Sequence, residues 1–267
     1  MMNILDKIID HKREEVARKK QQTPSSALEK AAFFSRQPLS MKQFVVDPAR
    51  TGIIAEFKRK SPSKGVINGE ADVVEVTRSY AAHGASCLSI LTDHSFFGGT
   101  AMDVHHARVN EIPILRKDFI IDEYQVLEAK AMGADVILLI AACLEPATVK
   151  QLAIFARNLG LEVLLEIHNE EELVHICDET ELVGVNNRDL KTFTVDIQRS
   201  IALSKKIPAG KITVAESGIS KVETILHMKE AGFKGFLIGE NFMKEKDPGA
   251  AFGEFVQQLK VAGEKDK

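Results

Sequence analysis

The sequence predicts an α/β protein, a (β/α)8 TIM barrel with an N-terminal helical extension. Short apolar, β-branched runs recur through the chain, in residues 52–58, 86–92, 112–117, 134–140, 161–167, 182–187, 211–216 and 235–239. Segments with helical spacing lie between these runs, such as residues 72–80 and 221–228. This alternation indicates parallel strands joined by helical crossovers. Eight such units in about 220 residues favour a closed barrel over an open sheet.

Glycines follow several of the predicted helices, just before the next strand begins. Gly84, Gly133, Gly160 and Gly232 stand at these joints, where glycine is favoured because it takes a positive φ without a Cβ clash. The repeated joint supports one repeated βα architecture. A dinucleotide-binding fold is less favoured, because no Gly-x-Gly-x-x-Gly follows the first strand.

Residues 1–50 precede the first strand and form the predicted extension. Apolar positions on either side of residues 23–26 indicate two amphipathic helices: Ile4, Leu5, Ile8, Ile9, Leu28, Ala31, Ala32 and Phe34. We expect these helices to pack on the barrel, over its bottom or one rim, rather than to form a separate domain. Residues 51–262 are then the barrel and the catalytic domain.

Composition limits the class of protein. The 267 residues are 45% hydrophobic and 27% charged, which is typical of a soluble globular protein. The formal net charge of −3 provides no basic field for a nucleic acid. The longest apolar run, residues 136–144, is too short to span a bilayer, and the first residues lack a signal-peptide pattern. We expect a cytoplasmic protein that binds neither nucleic acid nor membrane.

The end of the first strand combines opposite charges on one face. Ile54, Glu56 and Lys58 share that face because side chains alternate across a strand. A buried carboxylate and a buried ammonium each carry a large desolvation cost unless they pair or meet a ligand. The stretch therefore predicts a salt-bridged strand end or a functional site. The loop that follows, residues 59–65, contains three cations and two serines, which suits an anionic ligand such as a phosphate.

Other predicted strands also end on polar residues, namely Lys117, Glu166, Asn186 and Glu216 with their neighbours. In barrels of this kind the reacting groups lie where the strands end. One polar strand end is unremarkable, but several together predict one convergent pocket. Lysines and glutamates there supply acids and bases whose pKa values can be moved apart by burial and by each other.

Metal chemistry is not expected at this pocket. No paired histidines or His-plus-carboxylate spacing occurs at the strand ends, and His105 and His106 fall in a predicted helix. His168, which follows the fifth strand, is expected at the surface or behind the reacting groups. The loops after strands seven and eight, residues 216–220 and 237–241, contain glycines and form the common phosphate site of this fold.

These residues together resemble the indole-3-glycerol phosphate synthase family. The matching segments occur in order: Ile54–Ser63, Leu115–Phe119, Glu166–His168, Gly184–Leu190, Ala215–Ile219 and Leu237–Gly239. The resemblance spans essentially the whole chain. It implies that 1-(o-carboxyphenylamino)-1-deoxyribulose 5-phosphate is cyclised to indole-3-glycerol phosphate with loss of carbon dioxide and water, in tryptophan biosynthesis. No cofactor is implied, and the one expected small-molecule partner is this phosphorylated substrate.

The resemblance also implies a role for each candidate residue. Lys117 is the acid for ring closure, while Lys58 and Glu166 serve carboxylate contact and dehydration, in a division that the sequence leaves open. Glu56 and Asn186 orient the reacting groups. The supporting and ring-binding residues implied are Arg188, Glu216, Phe97 and Phe119, and the phosphate-binding residues implied are Ser61, Ser217, Gly218, Gly239 and Glu240.

Glu240 departs from some relatives, which have a small hydroxyl residue at this position. We therefore expect only the backbone N–H of Glu240, and not its charge, to face the phosphate. We further expect a monomer that associates at most weakly with other enzymes of the pathway.

Two other functions remain open from the residues alone. A phosphosugar lyase or aldolase would form a Schiff base at Lys58 or Lys117, which borohydride would trap as a covalent adduct. A catalytically silent barrel would bind a phosphorylated metabolite or a partner protein without turnover.

Overall fold

The computed structural model describes residues 4–189 and 194–265. Parallel strands close into a barrel in which each strand pairs with the next along the chain and the last pairs with the first. The strands are β1 (Ile53–Phe57), β2 (Cys87–Leu91), β3 (Ile114–Lys117), β4 (Val136–Ile140), β5 (Glu162–Ile167), β6 (Leu182–Asn186), β7 (Ile212–Glu216) and β8 (Gly235–Ile238). The predicted (β/α)8 barrel and all of its predicted strands are confirmed.

Helices surround the barrel and join its strands. They are α1 (Ile4–Gln22), α2 (Ser25–Leu28), α3 (Met41–Val46), α4 (Val73–Ala82), α5 (His94–Phe97), α6 (Ala101–Ala107), α7 (Glu123–Met132), α8 (Pro146–Asn158), α9 (Ile197–Ser204), α10 (Val222–Glu230), α11 (Glu240–Met243) and α12 (Pro248–Lys265). A 3-10 helix, Glu170–His175, takes the place of an α-helix between β5 and β6. The predicted glycine joints are confirmed, because Gly84, Gly133, Gly160 and Gly232 all have positive φ.

The strands bury both faces, so the apolar core has two layers. The outer layer lies between the strands and the helices. The inner layer fills the barrel, with Ile54, Leu115, Leu164, Val214 and Leu237 among its members. Because side chains alternate along a strand, the residue two positions further on points into the same interior. Those next positions are Glu56, Lys117, Glu166, Glu216 and Gly239, so the inner layer becomes polar toward the C-terminal ends of the strands, which we call the barrel mouth.

The opposite end of the barrel is closed by α3. Met41 and Val45 belong to the inner apolar layer. Ser40 caps this helix, since its hydroxyl accepts a hydrogen bond from the N–H of Gln43. The backbone N–H of Lys42 donates to Glu162 at the start of β5, over 3.0 Å. This helix was not anticipated. The second predicted helix is wrong beyond its first apolar position, because α2 ends at Leu28 and residues 29–36 form turns.

The long helix α1 lies beside the barrel mouth and is attached there by a buried ammonium group. Lys12 is fully buried, and its Nζ lies 2.9 Å from Asp93 Oδ2 and 3.0 Å from Asp118 Oδ1. Burial alone would lower the pKa of Lys12, but the carboxylates of Asp118 and Asp93 raise it above its ordinary value. Since Asp93 follows β2 and Asp118 follows β3, one side chain of α1 connects two loops of the mouth.

Within residues 4–189 and 194–265, no helix combines the length and the apolar character that a membrane span requires.

The substitution Lys12→Met tests this attachment. It leaves Asp93 and Asp118 buried with one cation fewer, and removing one partner of a buried ion pair costs about 3–5 kcal/mol. We expect a loss of that size in the free energy of unfolding, measured by urea denaturation. Lys20→Met is the matched control, because Lys20 also pairs from α1, with Asp122, but its side chain is 46% exposed. The control is expected to lose at most about 1 kcal/mol. Equal losses in the two variants would contradict the attachment.

Candidate active site

The centre of the barrel mouth is formed by side chains from three strands. Lys117 ends β3, and its Nζ lies 3.4 Å from Glu166 Oε2 near the end of β5. The amide of Asn186, which ends β6, donates to the other carboxylate oxygen, Glu166 Oε1, over 3.1 Å. Glu166 and Asn186 are buried. The structure therefore brings together three of the residues that the sequence predicted for catalysis.

Burial and mutual contact fix the charges of this pair. Burial alone would lower the pKa of Lys117, but the carboxylates of Glu166, Glu216 and Glu56 raise it above its ordinary value. Burial alone would raise the pKa of Glu166, but the charge of Lys117, the nearby His168 and the hydrogen bond from Asn186 lower it below its usual range. Both groups are consequently ionised at neutral pH.

Glu216, at the end of β7, behaves differently. Burial raises the pKa of this carboxyl well above its ordinary value, and the neighbouring charge of Glu166 raises it further. Glu216 is thus harder to ionise than Glu166, the carboxyl group beside it. Its side chain occupies space that a glycine provides, since a Cβ at Gly184 of β6 would lie 2.0 Å from Glu216 Oε1.

Glu56 and Lys58, at the end of β1, form a second pair. Lys58 Nζ lies 2.5 Å from Glu56 Oε1, with the Lys58 side chain 17% exposed. The salt-bridged strand end is therefore present, and it lies in the same mouth as the Lys117 cluster. Gly239 provides the space here, because a Cβ at this position would lie 2.5 Å from Glu56 Oε1.

The loop after β7 has a constrained backbone. Ser217 has a φ of 67°, which among the described residues makes it the one non-glycine residue with positive φ, and Gly218 follows at 70°. The amide of Asn187 holds the turn by donating to the carbonyl of Ser217 over 2.8 Å. Conformations of this kind persist where the surroundings impose them, often at functional sites. Asn187 is itself fully buried.

Glu240, directly after Gly239, contacts two cations from other loops. Its Oε1 lies 3.5 Å from Lys64 Nζ, and its Oε2 lies 3.9 Å from Arg188 Nη2. The backbone N–H of Arg188 donates to Asn186 Oδ1, so this loop is also connected to the central cluster. The Ser61 hydroxyl accepts from the N–H of Lys64 within its own hairpin, whose short strands are Lys60–Ser61 and Gly65–Val66.

Two aromatic rings contact each other in the loops after β2 and β3. The ring centroids of Phe97 and Phe119 are 6.1 Å apart, with planes inclined by 38°. Phe97 ends α5, which is capped by Asp93, and Phe119 donates its N–H to Asp118. Both rings are half-buried. Leu190, the last residue of one matching segment, lies outside the described residues.

His168 also belongs to this cluster, although it was not predicted to take part in catalysis or binding. Its Nε2 lies 3.1 Å from Glu166 Oε1 and its Nδ1 lies 3.3 Å from Glu172 Oε2. Burial alone would lower the pKa of His168, but the nearby carboxylates of Glu166 and Glu172 raise it to about 10. Of the two positions expected for His168, the surface is wrong because the side chain is buried, whereas the position behind the reacting groups agrees with its contact to Glu166. Strand alternation was the available signal, since His168 stands two residues after Glu166.

Comparison with known proteins identifies the family. The family model described as indole-3-glycerol phosphate synthase matches residues 5–255. The chain belongs to this family. The indole-3-glycerol phosphate synthase of Bacteroides thetaiotaomicron is 48% identical over 260 residues, which cover 97% of this chain and 100% of that one. The enzyme of the same name from Bordetella pertussis is 44% identical, over 96% of this chain and 100% of its own.

Membership confirms the function expected from the sequence, a carboxy-lyase of tryptophan biosynthesis. Among solved structures, a mutant tryptophan synthase α-subunit from Pyrococcus furiosus matches with a TM-score of 0.61 at 17% identity. That match covers 79% of this chain and 99% of the other, and it supports the barrel fold alone. Within the described residues, no group of three or more His, Cys, Asp or Glu side chains is arranged to hold a metal ion.

Gly184→Ala tests whether the observed position of Glu216 matters. The new methyl group would overlap Glu216 Oε1, so the carboxyl must move away from Glu166. We expect turnover to fall at least about tenfold and the free energy of unfolding to fall by about 1–3 kcal/mol. Gly263→Ala is the control, because a Cβ there meets nothing within 4 Å and its φ is ordinary. Unchanged turnover in a folded Gly184→Ala variant would contradict a role for Glu216 in this position.

Proposed function

We propose that the enzyme closes the indole ring with Lys117 as the general acid and completes the reaction with Lys58 and Glu166. The observation that carries this proposal is the contact between Lys117 and Glu166 at 3.4 Å in the centre of the mouth. The substrate is 1-(o-carboxyphenylamino)-1-deoxyribulose 5-phosphate. The products are indole-3-glycerol phosphate, carbon dioxide and water.

Ring closure requires a proton at the ketone of the substrate. The aromatic ring carbon that carries the carboxylate attacks the ketone carbon, and the carbonyl oxygen becomes a hydroxyl group. A general acid that donates this proton stabilises the charge that develops on the oxygen. Lys117 is suited to the role because the surrounding carboxylates keep it protonated, and the buried mouth strengthens its interaction with the oxygen.

Loss of carbon dioxide and loss of water follow. Lys58 contacts the substrate carboxylate before it leaves and donates a proton to the hydroxyl group, which departs as water. Glu166 accepts the proton that is lost from carbon as the indole forms. The pKa of Glu166 rises once Lys117 has given up its charge, because Lys117 is the strongest group lowering that pKa. The carboxylate therefore becomes a better base after the first step than before it.

The remaining polar groups orient the reactants. Asn186 fixes one oxygen of Glu166, so that the other oxygen faces Lys117. Glu56 holds Lys58 at the end of β1. The raised pKa of Glu216 favours its protonated form, which can donate a hydrogen bond to a hydroxyl or carbonyl oxygen of the substrate.

Binding of the substrate uses both sides of the mouth. Phe97 and Phe119 contact the aromatic ring, as their spacing of 6.1 Å suits a wall formed by two rings. The phosphate is bound by backbone N–H groups at Ser217, Gly218, Gly239 and Glu240, with Ser61 adding its hydroxyl. Support comes from the positive φ of Ser217 and Gly218, which turns successive N–H groups of this loop toward one side.

A Schiff-base mechanism is less well supported. The nucleophile of such a mechanism is a neutral amine, which is favoured when the pKa of a lysine is lowered. The pKa of Lys117 is raised instead. Lys117 therefore remains protonated, which favours its role as an acid over a role as a nucleophile.

We also propose that the enzyme is a cytoplasmic monomer, associated at most weakly with other enzymes of its pathway. The cysteines Cys87, Cys143 and Cys177 are free thiols, as expected in a reducing compartment. Sedimentation of the purified protein tests whether it is a monomer.

Lys117→Met tests the assignment of the acid. Loss of a general acid costs about 10²–10⁴-fold in rate, so we expect kcat to fall by that factor while the product still binds. Turnover is measured by the fluorescence of the indole product, and binding by calorimetry. Lys42→Met is the control, because Lys42 pairs with Glu181 at the opposite end of the barrel. Turnover near the wild-type value in folded Lys117→Met would contradict the role, and a folded wild type without turnover would contradict the function.

Glu240→Ser tests the phosphate site. The carboxylate of Glu240 contacts Lys64 and Arg188 and places a negative charge beside the proposed phosphate position. Its removal should lower the inhibition constant of inorganic phosphate by about two- to fivefold, the effect of one screened surface charge. Glu245→Ser is the control, because Glu245 is similarly exposed and pairs only weakly with Lys244, at 3.8 Å. Weaker phosphate binding in Glu240→Ser would show that Glu240 supports the site.

A further inference from the structure

We propose that His168 is a positioning residue that bears a positive charge and holds Glu166 ionised through ring closure, and that Glu172 maintains the charge of His168. This role rests on the proposed function, because it acts on the step that Lys117 and Glu166 carry out. It concerns a side chain outside the set that binds substrate.

The contacts form a row of alternating charge that leads from the rim of the mouth to its centre. Glu172 Oε2 lies 3.3 Å from His168 Nδ1, and His168 Nε2 lies 3.1 Å from Glu166 Oε1. The other oxygen of Glu166 lies 3.4 Å from Lys117 Nζ. Each ring nitrogen of His168 therefore lies near a carboxylate oxygen, and both nitrogens carry an N–H donor when the imidazolium is charged. Glu166 in turn stands between two cations.

Glu172 is held in place independently of the imidazole ring. It lies in the first turn of the 3-10 helix Glu170–His175, and its N–H donates to Asn169 Oδ1, which caps that helix. The Asn169 amide donates to Glu172 Oε1 over 3.1 Å, and the N–H of His168 donates to Glu172 Oε2 over 2.7 Å. The carboxylate thus accepts two hydrogen bonds and its backbone donates a third, so Glu172 can orient His168 as carboxylates orient metal-ligating histidines.

Within residues 4–189 and 194–265, the titratable groups around His168 are consistent with a charged ring. Glu166 of β5 and Glu172 of the 3-10 helix face its nitrogens. Glu216 of β7 is close enough for the charge of His168 to lower its pKa, and Lys117 of β3 lies beyond Glu166. Cys143, which follows β4, has its thiol pKa raised to about 12 by burial and by Glu166 and Glu172, so this group stays neutral. The pKa of His168 is accordingly raised to about 10.

Ring closure explains why Glu166 needs His168 as a second cation besides Lys117. When Lys117 donates its proton, Glu166 loses one of its two positive neighbours, and a carboxylate without compensation would take up the proton itself. The charge of His168 limits this rise in the pKa of Glu166. The proton of Lys117 is therefore directed to the ketone oxygen, and Glu166 remains an ionised acceptor for the last step.

His168→Gln tests the role, because glutamine retains a hydrogen-bond donor to Glu166 but carries no charge. Without the cation the pKa of Glu166 rises, so activity is lost at a higher pH as the solution is acidified. We expect the acid limb of the kcat profile to move up by about 1–3 pH units, the effect of one nearby opposite charge. We expect kcat at neutral pH to fall at least tenfold with KM nearly unchanged. A uniform fall in kcat with no movement of the limb would overturn the proposal.

The variants His168→Gln and Glu172→Gln, alone and combined, test whether Glu172 maintains the charge of His168. Because Glu172 acts through His168, the double variant should lose no more activity than His168→Gln alone. Additive losses of activity in the double variant would overturn the role of Glu172. His175→Gln is the matched control, since His175 belongs to the same 3-10 helix and its ring nitrogens hydrogen-bond to the carbonyls of Glu172 and Leu144. It should leave the pH profile in place, and urea unfolding of each variant identifies losses that come from instability.

Nitrogen NMR of the histidine rings separates this proposal from the proposed function. The His168 ring should carry protons on both nitrogens from pH 7 to about 9 and lose one near pH 10. A ring that titrates near the ordinary value, about 6.5, overturns the role of His168 even in an active enzyme. A wild-type protein without turnover overturns the proposed function, and the role of His168 with it. An active wild type combined with an unmoved limb in His168→Gln overturns only the role of His168.

Discussion

Charge compensation inside a closed barrel is the constraint on which this active site depends. Glu56, Glu166 and Glu216 occupy interior positions where water cannot solvate them, and each needs a partner or a proton. Glu56 is paired with Lys58, and Glu166 is paired with Lys117 and His168. Burial and the neighbouring charge of Glu166 raise the pKa of Glu216, so its protonated form is favoured.

The same constraint supplies the chemistry. A buried ammonium beside ionised carboxylates stays protonated and can act as an acid, while a carboxylate between cations stays ionised and can act as a base. Neither state requires a metal or a cofactor to maintain it. Because the partners come from β1, β3, β5 and β7, the closed barrel keeps them in fixed positions before the substrate arrives.

Two further features of the fold maintain this arrangement. Gly184 and Gly239 lack the Cβ atoms that would collide with Glu216 and Glu56, so the carboxyl groups can lie over the neighbouring strands. Lys12 of α1 joins the loops that carry Phe97 and Phe119, through Asp93 and Asp118. The N-terminal extension therefore contributes to the spacing of the aromatic rings as well as to the core.

The sequence by itself determined the barrel, its strands and the set of residues at the strand ends, because alternation along a strand is a local property that can be counted. It could not determine which of those residues meet, since Lys117 and Glu166 belong to strands that are not neighbours in the sheet. The charge states of Glu216 and His168 likewise depend on burial and on groups distant along the chain, which only the tertiary structure brings together. The closure of the barrel by α3 and the attachment of α1 through Lys12 were likewise visible only in the tertiary structure. For Lys12, no local pattern marks a side chain whose partners lie about 80 to 105 residues away.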